Sequence, residues 1–163
     1  MKINLAELPQ LAKTSEATTK KFFSRLKKNS PKNLDIVVKE IHNEVFQNIN
    51  CLDCANCCKS ISPIVTDKDI ERVSKFLKLR PSAFTEKYLH IDEDNDYVFN
   101  FSPCPFLDEN NFCKIYDARP KACSEYPHTD RKHFIQIFDL TIKNTFICPA
   151  AFEIVEQLKK KMN

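Results

Sequence analysis

Four cysteines fall within eight residues, Cys51-Leu52-Asp53-Cys54-Ala55-Asn56-Cys57-Cys58, and no other stretch of the chain is as well equipped for chemistry. Thiolate is a soft, negatively charged ligand suited to zinc and to iron–sulfur centres. A Cys-x2-Cys unit turns two sulfurs toward one tetrahedral ion. Here the unit is doubled through Cys51, Cys54 and Cys57, with Cys58 directly behind. Neighbouring side chains on extended backbone point to opposite sides, so Cys57 and Cys58 are expected to serve two adjacent metals. Four further cysteines follow, Cys104, Cys113, Cys123 and Cys148. Eight thiolates suffice for two four-sulfur centres, or for one polynuclear cluster with shared sulfurs. A lone cysteine often packs as a small hydrophobe, which could account for one or two of the later four. It does not account for four in eight residues beside Asp53, Asn56 and Lys59.

Two metals compete for this pattern. Cys-x2-Cys-x2-Cys with a distant Cys-Pro, either Cys104-Pro105 or Cys148-Pro149, matches the ligand run of bacterial ferredoxins. Against it, the glycines that often let backbone N–H groups approach such a cluster are missing. Two zinc sites would need no redox partner and would explain ligands spread along the chain. The reading tilts to an iron–sulfur cluster, with zinc kept open.

Composition narrows the rest. The 163 residues include 42% apolar side chains and 13 Phe, enough for an ordinary core in one domain. Charged residues make up 29%, but the formal balance is only +3, short of the basic character that marks nucleic-acid binders. Glycine is absent, where average usage would give roughly eleven. Neither a dinucleotide fingerprint nor a P-loop can therefore be present, since both need backbone that glycine supplies. No run approaches the ~20 apolar residues of a membrane helix. The start of the chain, with Glu7 and no apolar core, does not read as a secretory signal. The sequence thus predicts a cytoplasmic protein whose reduced thiols hold metal rather than disulfides.

The elements that must position the cysteines are mostly helical. The first ~16 residues lack a sustained period and read as a loose arm. A basic helix is expected over 15–28, stopped by Pro31, and a second carries Leu34, Val37, Ile41 and Val45 at spacings of three and four. The pair reads as a packed helical hairpin, with Lys20, Lys21, Arg25, Lys27 and Lys28 as its solvated face. A dock for an acidic protein partner is the competing reading. After the cysteine run, 61–65 is extended, and Thr66 caps a helix bearing Ile70, Val73, Phe76 and Leu77 on one face. Pro81 opens another helix through Phe84, Tyr88 and Leu89. The acidic run 92–96 lacks the glycine and distal Glu of a calcium loop and reads as a turn before a strand over 97–101. Between Cys104 and Cys113 a hairpin is expected with Asn110-Asn111 at its tip. Residues 133–146 suit either a strand pair or a helix, and Cys148-Pro149 opens a last helix with Phe152, Val155 and Leu158 inward. The predicted class is α+β, mostly helical, with an N-terminal helical extension over 1–47 and a metal-centred domain over 48–163.

Taken together, Cys51 to Cys58, Cys104-Pro105-Phe106-Leu107, Cys113-Lys-Ile115-Tyr116-Asp-Ala-Arg119-Pro120, Cys123 and Tyr126-Pro127 resemble the YkgJ-like cysteine-cluster family over about residues 48–152. Its members are described as zinc- or iron-chelating, some as iron–sulfur proteins. The resemblance implies metal binding through all eight cysteines in a bacterial cytoplasmic protein, and no settled reaction. Ser124 stands where the family often has Arg, and Asn replaces the usual glycine in the 104–113 turn. Flagellin lysine methylases carry a similar cluster, but this chain is short and has no glycine for their nucleoside-binding loop.

Among other residues, Arg119 is the best placed to offset thiolate charge from beside the cluster, with a surface ion pair as the plain alternative. Tyr116 and Tyr126 read as packing residues, and His128 and His133 as structural. A Cys123–His128 nucleophile pair has only sequence closeness behind it. No catalytic residue is assigned. The functional expectation is a structural or redox metal-cluster protein. Its alternatives are a cluster-dependent enzyme and a zinc-stabilised interaction module.

Overall fold

The computed structural model describes residues 3–162. Helices dominate, and among the described residues the only paired strands form a small antiparallel hairpin, so the fold is α+β and mostly helical. The chain divides into two compact units. One comprises the described residues up to Asn50 together with those from Pro127 onward, and the other is Cys51–Tyr126.

In the first unit, α1 (Leu8–Lys28) packs against α8 (Phe138–Thr145) and α9 (Pro149–Lys161), and α2 (Leu34–Phe46) packs chiefly on α9. The expected hairpin of α1 on α2 is therefore replaced by packing of each on the C-terminal helices, which the expected boundary at residue 47 had grouped with the cysteines. Where a loose arm was expected, α1 already starts at Leu8. Its inward stripe runs through Leu8, Ala12, Thr19, Phe22, Phe23 and Leu26. Small and polar residues on that stripe hid it from a hydrophobic reading. Thr19 and the neighbouring Ser15 are satisfied from α9, with Ser15 donating to Glu156 at 2.6 Å and Lys159 donating to Ser15 and Thr19. Phe23 and Phe138 stack at 4.0 Å, with Phe134 edge-on to Phe138. The ambiguous stretch 133–146 is helical, a short 3₁₀ turn over Phe134–Ile137 leading into α8. Asp35 fixes its start by accepting from the His133 and Phe134 N–H groups. The basic face of α1 is exposed, and two of its lysines meet acids of this unit, Lys20 with Glu16 and Lys27 with Asp139.

The second unit opens with two short helices, α3 (Cys51–Cys54) and α4 (Asn56–Ser60), and continues through α5 (Asp67–Phe76) and α6 (Pro81–Tyr88). Strands β1 (Leu89–Ile91) and β2 (Tyr97–Phe99) pair with Leu89 opposite Phe99. The stretch entering α5 adds to this edge, with Ile64 bridged to Val98 and the Val65 N–H donating to the Tyr97 carbonyl. Between the strands, Asp92 accepts from the N–H groups of Asp94 and Asp96, and Asn95 takes a left-handed conformation, as a polar turn requires. Val65, Ile70, Val73, Phe84, Leu89, Phe99, Phe106 and Ile115 form the core, and Cys104 and Cys113 pack against its margin. Phe76, expected inward, is exposed, because the face of α5 that meets α6 is the one carrying Ile70 and Val73. Among the described residues, no helix is long and apolar enough to cross a membrane.

Candidate metal centre

Seven of the eight cysteines belong to the second unit, and local rules explain how each is presented. Residues 51–54 and 56–60 are single helical turns separated by Ala55, which adopts φ 46° and is buried. A left-handed residue redirects the chain between two helical turns, so Cys51 and Cys54 ride on one turn and Cys57 and Cys58 on the next. This is glycine's usual conformation, and with no glycine in the chain an alanine carries it at some cost.

Cys57 and Cys58 do not point apart. The backbone there is helical rather than extended, so adjacent side chains are turned by about 100° rather than reversed. Their sulfurs lie 4.0 Å apart. Two thiolates sharing a tetrahedral ion at a metal–sulfur distance of about 2.3 Å would stand about 3.8 Å apart. As they lie, the two sulfurs are near the separation that one tetrahedral ion requires, rather than turned to opposite sides as extended backbone would have them.

The later cysteines arrive on a loop tied to α4. The Cys104 N–H donates to the Cys58 carbonyl at 2.8 Å, and the Ser102 hydroxyl donates to the Lys59 carbonyl at 3.0 Å. Pro105 and Phe106 then turn the chain into the expected hairpin, with Leu107 bridged to Cys113. Asp108 accepts from the N–H groups of Asn110 and Phe112, and Asn111 takes the left-handed position at the tip. Cys113 leads into a 3₁₀ turn (Tyr116–Ala118), and Cys123 sits on α7 (Lys121–Glu125).

Charge on Cys58 is felt at Cys104, Cys113 and Cys123. Burial pushes the Cys123 thiol up to about 12, and negative charge on Cys104, Cys58 and Cys113 adds to the rise. Burial likewise brings Cys104 to about 11, with Cys58 and Cys113 adding and the Phe106 and Leu107 N–H groups opposing. Cys113 is raised by burial and by Cys58, against the Ile115 N–H and Arg119. Cys51 is raised by burial, then by Cys54 and Cys58, against Arg119. Cys58 alone moves the other way, to about 7, because the neighbouring Cys57 thiol donates to it, with Lys59 helping against burial. Three thiols whose ionisation is opposed by burial and by charge on Cys58 are a set whose ionisation a cation would favour.

Arg119 is the cation in reach of Cys51, Cys113 and Cys123. Its guanidinium lies 3.8 Å from the centre of the Tyr116 ring and donates to the Tyr116 carbonyl. Tyr116, expected as a packing residue, is half exposed and serves as the plate on which Arg119 rests. Two residues carry contacts that the sequence reading did not find, Asp69 being read there only as an acid in the first turn of its helix. Asp69, buried in α5, accepts from the Lys121 N–H, and Arg72 donates to the Arg119 carbonyl. The Thr66-x-x-Asp69 spacing signals a helix cap but not this second duty.

Cys148 belongs to the first unit, where it caps α9 by accepting from the Ala151 N–H at 3.4 Å. His128 and His133 both have left-handed backbone. None of the eight cysteines forms a disulfide. Among the described residues, no three His, Cys, Asp or Glu side chains gather closely enough, as they lie, to hold one ion. The donor set is all the same one that zinc or iron selects. Its backbone is already cross-tied, and a thiol is re-aimed by a change of χ1 rotamer alone.

Comparison with known proteins bears on this geometry directly. A family profile, CxxCxxCC, described as a "putative zinc- or iron-chelating domain", matches residues 50–146. The chain belongs to the CxxCxxCC family. Its match takes in all seven cysteines of the second unit and stops just short of Cys148. A curated relative, the uncharacterized protein MJ0661 of Methanocaldococcus jannaschii, is 30% identical over 99 residues. That alignment covers 56% of this chain and 52% of the relative, so the chain spans about half the length of the protein it matches. No solved structure matches. As a CxxCxxCC protein the chain carries a zinc- or iron-chelating type of domain, and the matched residues include the thiol-rich second unit.

Proposed function

We propose that this CxxCxxCC protein holds zinc or an iron centre through its cysteines, in a structural or redox role. The observation that carries the reading is the set Cys58, Cys104, Cys113 and Cys123, in which the Cys104 N–H is tied to the Cys58 carbonyl and negative charge on Cys58 disfavours ionisation of the other three. Cys51, Cys54 and Cys57 supply further thiolates on the adjoining turns, and Cys148 is carried as the eighth by resemblance. A bound cation would supply the positive charge that lets these thiols ionise together. The protein's own contribution is to present the sulfurs, to lend N–H groups to Cys104 and Cys113, and to keep Arg119 nearby.

The short Cys57–Cys58 sulfur separation favours a mononuclear tetrahedral ion at that corner, which softens the tilt toward an iron–sulfur cluster. Anaerobic purification followed by metal and acid-labile sulfide analysis tests the reading. Zinc or iron without sulfide is expected for mononuclear sites, and iron with equimolar sulfide for a cluster. A reduced, folded protein that takes up neither metal overturns the proposal.

A further inference from the structure

We propose that Asp69 is a positioning residue of the metal centre, acting with Arg72 to fix the backbone that carries Arg119 and Cys123. The inference rests on the metal-centre reading above and names the part of the fold that sets its geometry.

Asp69 has an exposure of 1% and faces four donors. One carboxylate oxygen accepts from the Thr66 N–H at 3.0 Å and the Thr66 hydroxyl at 2.7 Å. This half is an ordinary helix cap and needs no tertiary partner. The other oxygen accepts from the Lys121 N–H at 3.0 Å and from Arg72. Arg72 in turn donates to the Arg119 carbonyl at 2.9 Å. One buried carboxylate and its guanidinium thus grip both ends of the Arg119-Pro120-Lys121 segment. Proline at the centre contributes no N–H, so the segment depends on its neighbours for anchorage. Two residues further on, the Cys123 N–H donates to the Pro120 carbonyl at 2.9 Å, which passes the position of the clamp to the thiol-bearing turn. Partners that orient metal ligands from one shell out are worth about 10–100-fold in metal affinity.

The two halves of Asp69 separate experimentally. In the full-length protein loaded with Co²⁺ or Zn²⁺, the thiolate-to-cobalt absorption and the competition against a chelator are compared across Thr66→Ala, Arg72→Gln and Asp69→Asn. The exposed Arg72 is the variant least apt to disturb folding. Both Arg72→Gln and Asp69→Asn should weaken metal binding about 10–100-fold and alter the cobalt spectrum. Thr66→Ala should lower the melting temperature while leaving affinity within about twofold. Unchanged affinity and spectrum in Arg72→Gln and Asp69→Asn overturn the positioning role alone, as does an equal loss in Thr66→Ala. Failure of the wild type to bind zinc, cobalt or iron overturns the metal-centre reading and this inference with it.

Discussion

The backbone N–H of Cys104 donates to the carbonyl of Cys58 at 2.8 Å, so the cysteine that opens the hairpin loop is anchored to the last cysteine of the first cluster. That bond lies within a segment of the core margin, and it sets two thiol-bearing backbones side by side before any cation arrives. Several consequences can be measured.

Removing a thiol from the quartet should cost metal. Cys104→Ser and Cys123→Ser are each expected to lose most bound zinc or iron and to melt at lower temperature. Apparent binding at structural zinc sites reaches about 10–16 kcal/mol, much of it expressed as folding energy. Metal content by mass spectrometry, set beside a thermal melt, decides the point. Wild-type values for both variants would remove these residues from the ligand set.

Cys148 offers a cleaner substitution. Serine is itself a good helix cap, so Cys148→Ser should keep the start of α9 while deleting a sulfur. The proposed role as eighth ligand predicts reduced metal content with little change in helicity. Full metal content would leave Cys148 as a cap only.

Metal uptake should release protons. Burial, together with charge on Cys58 and Cys113, pushes Cys123 up to about 12 and Cys104 up to about 11, so both are protonated at neutral pH and must ionise to bind. Affinity should therefore rise with pH across the neutral range. Calorimetric titrations in buffers of different ionisation enthalpy count the protons. A heat independent of buffer would contradict thiol ligation at these positions.

Acid should weaken the first unit through His42. Burial holds its imidazole below the ordinary value, with Lys39 adding to the effect and Asp130 opposing it. The unfolded chain thus binds this proton more readily than the folded one. The contribution of His42 to stability is intact above about pH 6.5 and is lost as pH falls from there through the folded value. Urea midpoints for wild type and His42→Gln, compared at about pH 7.5 and about pH 5.5, should differ in slope. Parallel decline in the two proteins would argue against His42 as a source of acid lability. The ring also accepts or donates at 2.8 Å to Thr129, so an absolute loss of stability is expected at both pH values.

Ala55→Gly should raise stability. A left-handed alanine costs roughly 1–2 kcal/mol, and glycine occupies that region freely at some entropic expense in the unfolded chain. A net gain of up to about 1 kcal/mol in a denaturant series is the expected sign. A clear loss would show that the methyl group, buried between two cysteine-bearing turns, is packed to advantage.

Residue type and spacing alone pointed to the chemistry proposed for this protein. Four cysteines within eight residues in a polar context, with four more to follow, favour soft-metal ligation, because thiolate affinity is a property of the side chain. Local rules carried further. Thr66, Pro81, the Asp92 turn, the Asn111 tip and Pro149 start or stop elements through their own φ preferences and side-chain hydrogen bonds, which need no distant partner. Tertiary structure decided the remainder. Whether Cys57 and Cys58 diverge or converge depends on backbone that the left-handed Ala55 redirects, and α1 hides its inward stripe behind Ser15 and Thr19, whose partners lie on α9. Asp69 shows the limit most clearly. Its cap to Thr66 is written within three residues, but its grip on Lys121 joins atoms that only the folded core brings together.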